Sequence, residues 1–310
     1  MKALSLILTA AAVAVTLLLT ALAPALSLAQ SARNIKFTGN IEYGTGGRQK
    51  LLLDIYRPRA ALPAGKLRAA VLLVHGGAWE EGNKEEFRDI ALYLAGNGYV
   101  AVSINYRLMS PDEGQRARDT SNAWPAQIDD VQLAVRWMRE NAATYGFDPQ
   151  KIVAMGGSAG GHLVTLLGTC DTLHPQGAAL TQHSSRVAAV VNLAGPTDLT
   201  VNFAVGIWTP MATSLQRRLF QDKLEGTGPR EASPLYHIDA KTVPMLLLHG
   251  KDDMIVSVKQ SETFAAAMTK AGRDAKLVVF EGEGHGFAKE ENNEKMLEDT
   301  LEFLKKQVGE

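Results

Sequence analysis

Lys151-Ile152-Val153-Ala154-Met155-Gly156-Gly157-Ser158-Ala159-Gly160-Gly161-His162-Leu163-Val164-Thr165-Leu166-Leu167 is the stretch on which the fold turns. The apolar run up to Met155 reads as a buried strand, and the apolar residues after His162 as an amphipathic helix. Only the glycine-rich piece separates them, so the strand must turn directly into the helix. A serine in such a turn sits in strained backbone geometry with its hydroxyl projecting from the sheet edge. Glycines flank it because side chains there would collide with the strand and helix. The pattern is G-x-S-x-G in the strand–turn–helix context that its reading as a nucleophile elbow requires. A bare match also occurs in glycine-rich turns that carry a solvent serine, so the rest of the chain must decide.

Working outward, residues 34–43 and 50–56 read as two strands joined by the turn-rich Gly44–Arg48. Residues 69–74 form a continuous apolar run, as expected for a strand covered on both faces. Asn83 suits the cap of a helix running to about Ala95, ended by Gly96-Asn97-Gly98. A strand at 99–105 and a polar surface loop at 108–122 follow. Pro125 starts a helix to about Tyr145 with Ile128, Val131, Val135 and Met138 on one face, and Asp148-Pro149 marks a turn into the elbow strand. Further strands are expected at 187–193, 245–249 and 275–280, with helices at 258–271 and 290–306. Strands alternating with helices imply right-handed crossovers and a mostly parallel α/β sheet with helices on both faces. The irregular stretch 200–238 reads as a small cap insertion above that sheet.

A serine hydroxyl needs a base within hydrogen-bond reach, itself oriented by a third group. In a sheet of this kind the partners should follow the serine as acid then histidine, at the C-terminal ends of later strands. The strand at 245–248 ends in His249-Gly250-Lys251-Asp252-Asp253, and the strand at 277–280 ends in Glu281-Gly282-Glu283-Gly284-His285-Gly286-Phe287. Ser158, Asp253 and His285 therefore form the expected catalytic set. Asp252, next to Asp253, is the alternative acid. The remaining need is a set of N–H donors where negative charge develops. The loop His75-Gly76-Gly77-Ala78-Trp79 supplies Gly77 and Ala78, and Ala159 completes an oxyanion hole at the helix N-terminus. His75, His162 and His249 read as residues that pack or anchor loops. Trp79, Tyr106, Trp124, Trp208 and Phe287 are expected as substrate-binding walls.

The composition fits this picture without adding to it. With 310 residues, 46% hydrophobic, 21% charged and a net charge of −1, the chain can bury a large core and offers no basic face for nucleic acid. Cys170 is the only cysteine, which excludes an intrachain disulfide, and no zinc-ligand spacing occurs. Residues 1–29 have the form of a secretory signal: Lys2, an apolar run to about Ala23, and small residues at Ser27 and Ala29. The apolar run is also long enough for an uncleaved anchor. The expected mature chain, 30–310, is a single domain that is secreted or periplasmic and does not engage a membrane.

Taken in order, His75–Trp79, Ser103–Leu108, Trp124–Gln127, Gly156–His162, Gly195–Asp198, His249-Gly250 with Asp253, and Gly284–Phe287 resemble the α/β-hydrolase esterases. The likeness is to the hormone-sensitive-lipase-like group, and within it to the bacterial acetyl- and feruloyl-esterase-like branch. It implies the α/β-hydrolase fold and a cofactor-free serine carboxylesterase acting on small or carbohydrate-linked esters through an acyl-enzyme. The same catalytic set would also serve an amide hydrolase of formamidase or peptidase type, or a lipase or polyester hydrolase. A binding protein that kept the fold without the chemistry is the reading from a different class. Two departures stand out: Ala78 where many relatives have a third glycine, and Ser257 where a proline is common.

Overall fold

The computed structural model describes residues 34–63, 65–109 and 122–309. The expected signal segment 1–29 and most of the polar stretch 108–122 lie outside the described residues. In chain order the elements are β1 (Ile35–Gly46), β2 (Gln49–Pro58), β3 (Arg68–Val74), α1 (Arg88–Gly96), β4 (Val100–Ile104), α2 (Ala126–Tyr145), β5 (Phe147–Gly157) and α3 (Ala159–Thr169). They continue with β6 (Ala189–Leu193), α4 (Thr209–Leu219), α5 (Thr227–Glu231), β7 (Met245–Gly250), α6 (Lys259–Lys270), β8 (Ala275–Phe280) and α7 (Glu290–Val308). The strands form one sheet in the order β1-β2-β4-β3-β5-β6-β7-β8. β1 and β2 pair antiparallel, as do β2 and β4, and every other pairing is parallel.

Every residue of β3, β4, β6 and β7 is buried, which is what an apolar run without alternation demands in a sheet covered on both faces. Along β3 successive side chains go to opposite sides. Ala70, Leu72 and Val74 join one core cluster, and Ala69, Val71 and Leu73 the other. The first cluster is roofed by α2, α3 and α6 through Ile128, Val135, Leu163, Val164 and Phe264. The second is roofed by α1 and α7 through Ile90, Leu94, Met296 and Phe303.

Two boundaries differ from the sequence reading. Asn83 does cap, accepting the N–H of Glu85 at 2.8 Å in a capping box with Glu86, but the turn it starts is 3-10 over Lys84–Phe87 before α1 begins. β5 begins at Phe147, so Asp148-Pro149 lies inside the strand rather than in a turn. The turn comes earlier, at Gly146 (φ 76°), which caps α2 in the left-handed conformation. Residues 200–238 hold the 3-10 turn Gly206–Trp208, α4, α5 and the 3-10 turn Pro234–His237. Phe203, Leu215, Leu219 and Phe220 from this stretch pack into the α2–α3 side of the core.

Candidate active site

Four strands deliver the site to one edge of the sheet. β5 ends at Gly157 and Ser158 follows with φ 52° and ψ −120°, a conformation that strains a non-glycine residue. The turn is held by the Ser158 N–H, which donates to Leu193 O at 2.8 Å, and by Ser158 O, which accepts the N–H of His162 at 3.0 Å. Gly160 packs so tightly that a Cβ there would lie 2.1 Å from Val74 O. Gly160 is thus required by the approach of α3 to β3, and Gly161 by its approach to Asn192 and Gly195.

The loops after β7 and β8 bring Asp253 and His285 to the serine. His285 Nδ1 lies 2.7 Å from Asp253 Oδ2 and His285 Nε2 lies 2.8 Å from Ser158 Oγ. A carboxylate only accepts, so Nδ1 carries the proton and Nε2 is free to accept from the serine hydroxyl. Asp253 Oδ1 accepts the N–H groups of Ile255 and Val256, each at 2.9 Å. Burial by itself opposes ionisation of this carboxyl. The hydrogen bonds and charge of His249 and His285 outweigh it and hold Asp253 well below the usual carboxylate range. The side chain of Asp252 is turned to solvent. The two loops are locked together by Asp252 N–H to Glu283 O and Lys251 N–H to Phe280 O, each 2.9 Å. Glu283 is buried and accepts from Ala288 N, Lys289 N and Asn292 Nδ2, which pins the His285 loop from its far side.

The loop after β3 lies against the serine: a Cβ on Gly76 would sit 3.3 Å from Ser158 Cβ. Gly77, Ala78 and Trp79 have φ of 94°, 54° and 61° in succession. Gly77 O accepts the N–H groups of Glu80 and Glu81, and Trp79 O that of Met109. No hydrogen bond among the described residues uses the N–H of Gly77 or Ala78. Ala159 opens α3, where the first N–H groups of a helix have no intrahelical partner. This arrangement can receive an oxyanion beside Ser158.

Below that loop the aromatic residues play a different part from the one the sequence suggests. Trp79, Tyr106 and Phe287 are buried, at 2%, 1% and 6% exposure, and line no open surface. Tyr106 stacks on His75 with ring centres 4.3 Å apart, and its hydroxyl donates to His75 O and Gly76 O at 3.1 and 3.2 Å. Trp79 Nε1 donates to His162 Nδ1 at 3.3 Å, and its ring meets Phe203 edge-on. Phe287 packs against Phe280 in the α1–α7 core. Their burial and these contacts make the rings supports of the loops around Ser158. Trp124 and Trp208 are half-buried, with Trp124 Nε1 donating to Glu231 Oε1 at 2.9 Å.

Burial pushes His75 and His162 down to about 4, so both are neutral imidazoles at physiological pH. His162 Nε2 donates to Ala232 O at 2.6 Å while Nδ1 takes the Trp79 proton. The sequence reading missed one contact: His249 Nε2 lies 3.1 Å from Asp253 Oδ2. The spacing of four residues across a tight loop was the only signal for it. Among the described residues no group of three or more His, Cys, Asp or Glu could hold a metal ion.

A doubly covered, mostly parallel sheet with serine at the elbow, then acid and histidine after later strands, defines an α/β-hydrolase. The chain belongs to the BD-FAE family, whose model matches residues 53–268. Esterase LipQ of Mycobacterium tuberculosis is 33% identical over 76% of this chain. The match takes in 53% of LipQ, and the chain spans about half the length of the curated relatives it matches. Thermogutta terrifontis esterase 2, solved after phosphorylation by paraoxon, superposes with a TM-score of 0.70 at 32% identity, covering 88% of this chain and 94% of that one. A truncated carbohydrate esterase from gut microbiota superposes at 0.72 with 25% identity, covering 89% and 97%.

Proposed function

We propose that this protein is a serine carboxylic ester hydrolase working through Ser158, His285 and Asp253. The observation that carries the reading is the hydrogen-bonded chain from Ser158 Oγ through His285 to Asp253 Oδ2, at 2.8 and 2.7 Å. His285 takes the proton as Ser158 Oγ bonds to the ester carbonyl carbon. The N–H groups of Gly77, Ala78 and Ala159 meet the oxyanion, and the buried Asp253 carboxylate stabilises the imidazolium. The alcohol leaves with the proton from His285. Water then attacks the acyl-enzyme with His285 again as base. Small or carbohydrate-linked esters, of acetyl or feruloyl type, are the substrate class we infer, supported by the BD-FAE match and the carbohydrate-esterase neighbour.

Replacing Ser158 by alanine should lower kcat/KM on p-nitrophenyl acetate by about 10⁴-fold or more. Paraoxon should phosphorylate the wild type once, on the peptide bearing Ser158, with loss of p-nitrophenolate, and leave Ser158→Ala unlabelled. Unchanged turnover in the variant would end the proposal. We also infer export, on the form of residues 1–29. The N-terminal sequence of protein recovered from periplasm or medium should begin near Gln30, and an intact Met1 would refute cleavage.

A further inference from the structure

We infer that His249 is a positioning residue for the reaction, the second imidazole donor that aims the Asp253 carboxylate at His285. This rests on the reading of Ser158, His285 and Asp253 as the catalytic groups. His249 is fully buried at the end of β7. Its Nε2 faces two acceptors, Asp253 Oδ2 at 3.1 Å and Val256 O at 2.8 Å. Neither can donate, so Nε2 carries the proton and divides it between them. Nδ1 lies 2.7 Å from Ser261 Oγ on α6, whose hydroxyl donates to it and holds that tautomer. Any buried imidazole needs partners for its ring nitrogens, and Val256 O with Ser261 Oγ would already satisfy both; the contact to Asp253 Oδ2 is the one that exceeds that need. His249 joins the two ends of the acid loop and reaches its carboxylate.

The consequence follows from counting acceptor sites. A carboxylate has about four lone-pair positions, and all are used: Ile255 N and Val256 N on Oδ1, His285 Nδ1 and His249 Nε2 on Oδ2. With every position filled the group cannot rotate, and the same oxygen that orients the catalytic base is shared with His249. No other charge competes at this point. Asp252 faces solvent, Glu283 is occupied by Ala288, Lys289 and Asn292, and Lys251 pairs with Glu262 at the surface. Removing the His249 donor leaves Oδ2 held by His285 alone, with Oδ1 still fixed by the two backbone N–H groups. It also concentrates the carboxylate's charge on His285, which favours the imidazolium.

The test compares His249→Gln with His249→Met, near-isosteres that differ in the N–H donor. Rates on p-nitrophenyl acetate are taken per active site, counted by paraoxon burst. The expected result is a loss of kcat/KM of about tenfold to a hundredfold in the methionine variant, carried by kcat, with the acidic limb of its pH profile moved upward. The glutamine variant should stay within a few-fold of wild type with the limb in place. Equal rates and identical limbs in the two variants would overturn the proposal. Should neither fold, Ser261→Ala keeps His249 and removes the hydroxyl behind it; a wild-type kcat and pH limb there would also overturn it. Turnover surviving in Ser158→Ala would instead remove the catalytic reading itself, whatever His249 does.

Discussion

The same dipeptide leads into two loops at one sheet edge, His75-Gly76 just after β3 and His249-Gly250 as the last residues of β7, and is used in opposite ways. Both histidines are buried, at 1% and 0% exposure, and both glycines let a neighbouring loop come close. In the first loop the ring serves its own backbone. His75 Nδ1 lies 2.9 Å from Gly76 O, Nε2 is buried without a hydrogen-bond partner among the described residues, and Tyr106 stacks on the face. In the second, both ring nitrogens are engaged and one reaches the acid. The result is a division of labour. On the proposed mechanism, the loop whose N–H groups would meet a developing anion is held by a neutral ring, whereas the loop that presents a carboxylate surrounds it with donors.

Gly77 is where the comparison breaks most sharply. Its φ of 94° favours glycine, and a Cβ there would fall 2.1 Å from Glu81 O. Gly77→Ala must therefore shift the turn closed by Glu80 and Glu81, and with it the donors beside Ser158. The expected loss in kcat is about 10²–10³-fold, the size of a lost oxyanion donor, with labelling by paraoxon slowed as well, since its phosphoryl oxygen would meet the same donors. Wild-type kcat in a folded Gly77→Ala protein would show that the loop's donors are not used. The same measurement on the acid loop reads through His249, so the two loops fail by separable routes.

Much of this edge was legible before any coordinates. The elbow could be read because a strand, glycines and a helix in immediate succession admit few geometries. The parallel order followed from strands alternating with helices. Asp253 over Asp252 was readable only as a preference, since adjacent residues on a loop differ by which way the backbone turns. The structure settles the facing, with Asp253 inward on Ile255 N and Val256 N and Asp252 outward. The packing of the aromatic residues was hidden for a related reason. Proximity in sequence to Gly77 or His285 says that Trp79 and Phe287 are near the site, but not whether they lie above or below it. Consecutive positive φ values at Gly77, Ala78 and Trp79 turn Trp79 under the loop, where its N–H meets His162. Nor could the reach of His249 be read, because it depends on the loop from Lys251 to Val256 folding back on itself.

The smaller effect concerns the charge state that the first loop imposes. His75 and His162 have folded-state values near 4, against about 6.5 in an unfolded chain. Between those values the unfolded state takes up a proton that the folded state refuses, so stability rises with pH across that window. Their contribution is complete above about pH 6.5 and is lost as pH falls toward 4, by about 3 kcal/mol for each histidine at the lower end. Burial is the cause in both, and in neither does the second ring nitrogen meet an acceptor. A proton on His75 Nε2 would be buried with no acceptor, and one on His162 Nδ1 would face the Trp79 N–H. Denaturant melts at pH 7 and pH 4.5 should show the wild type weakened at the lower pH. His75→Phe keeps the stack on Tyr106 and should be less stable at pH 7, where it lacks the hydrogen bond to Gly76 O. Its stability should fall less steeply toward pH 4.5, by the equivalent of one proton. An unchanged slope in His75→Phe would mean that His75 is protonated in the folded protein, and the contrast between a neutral loop and a donor-ringed carboxylate would lose its first half.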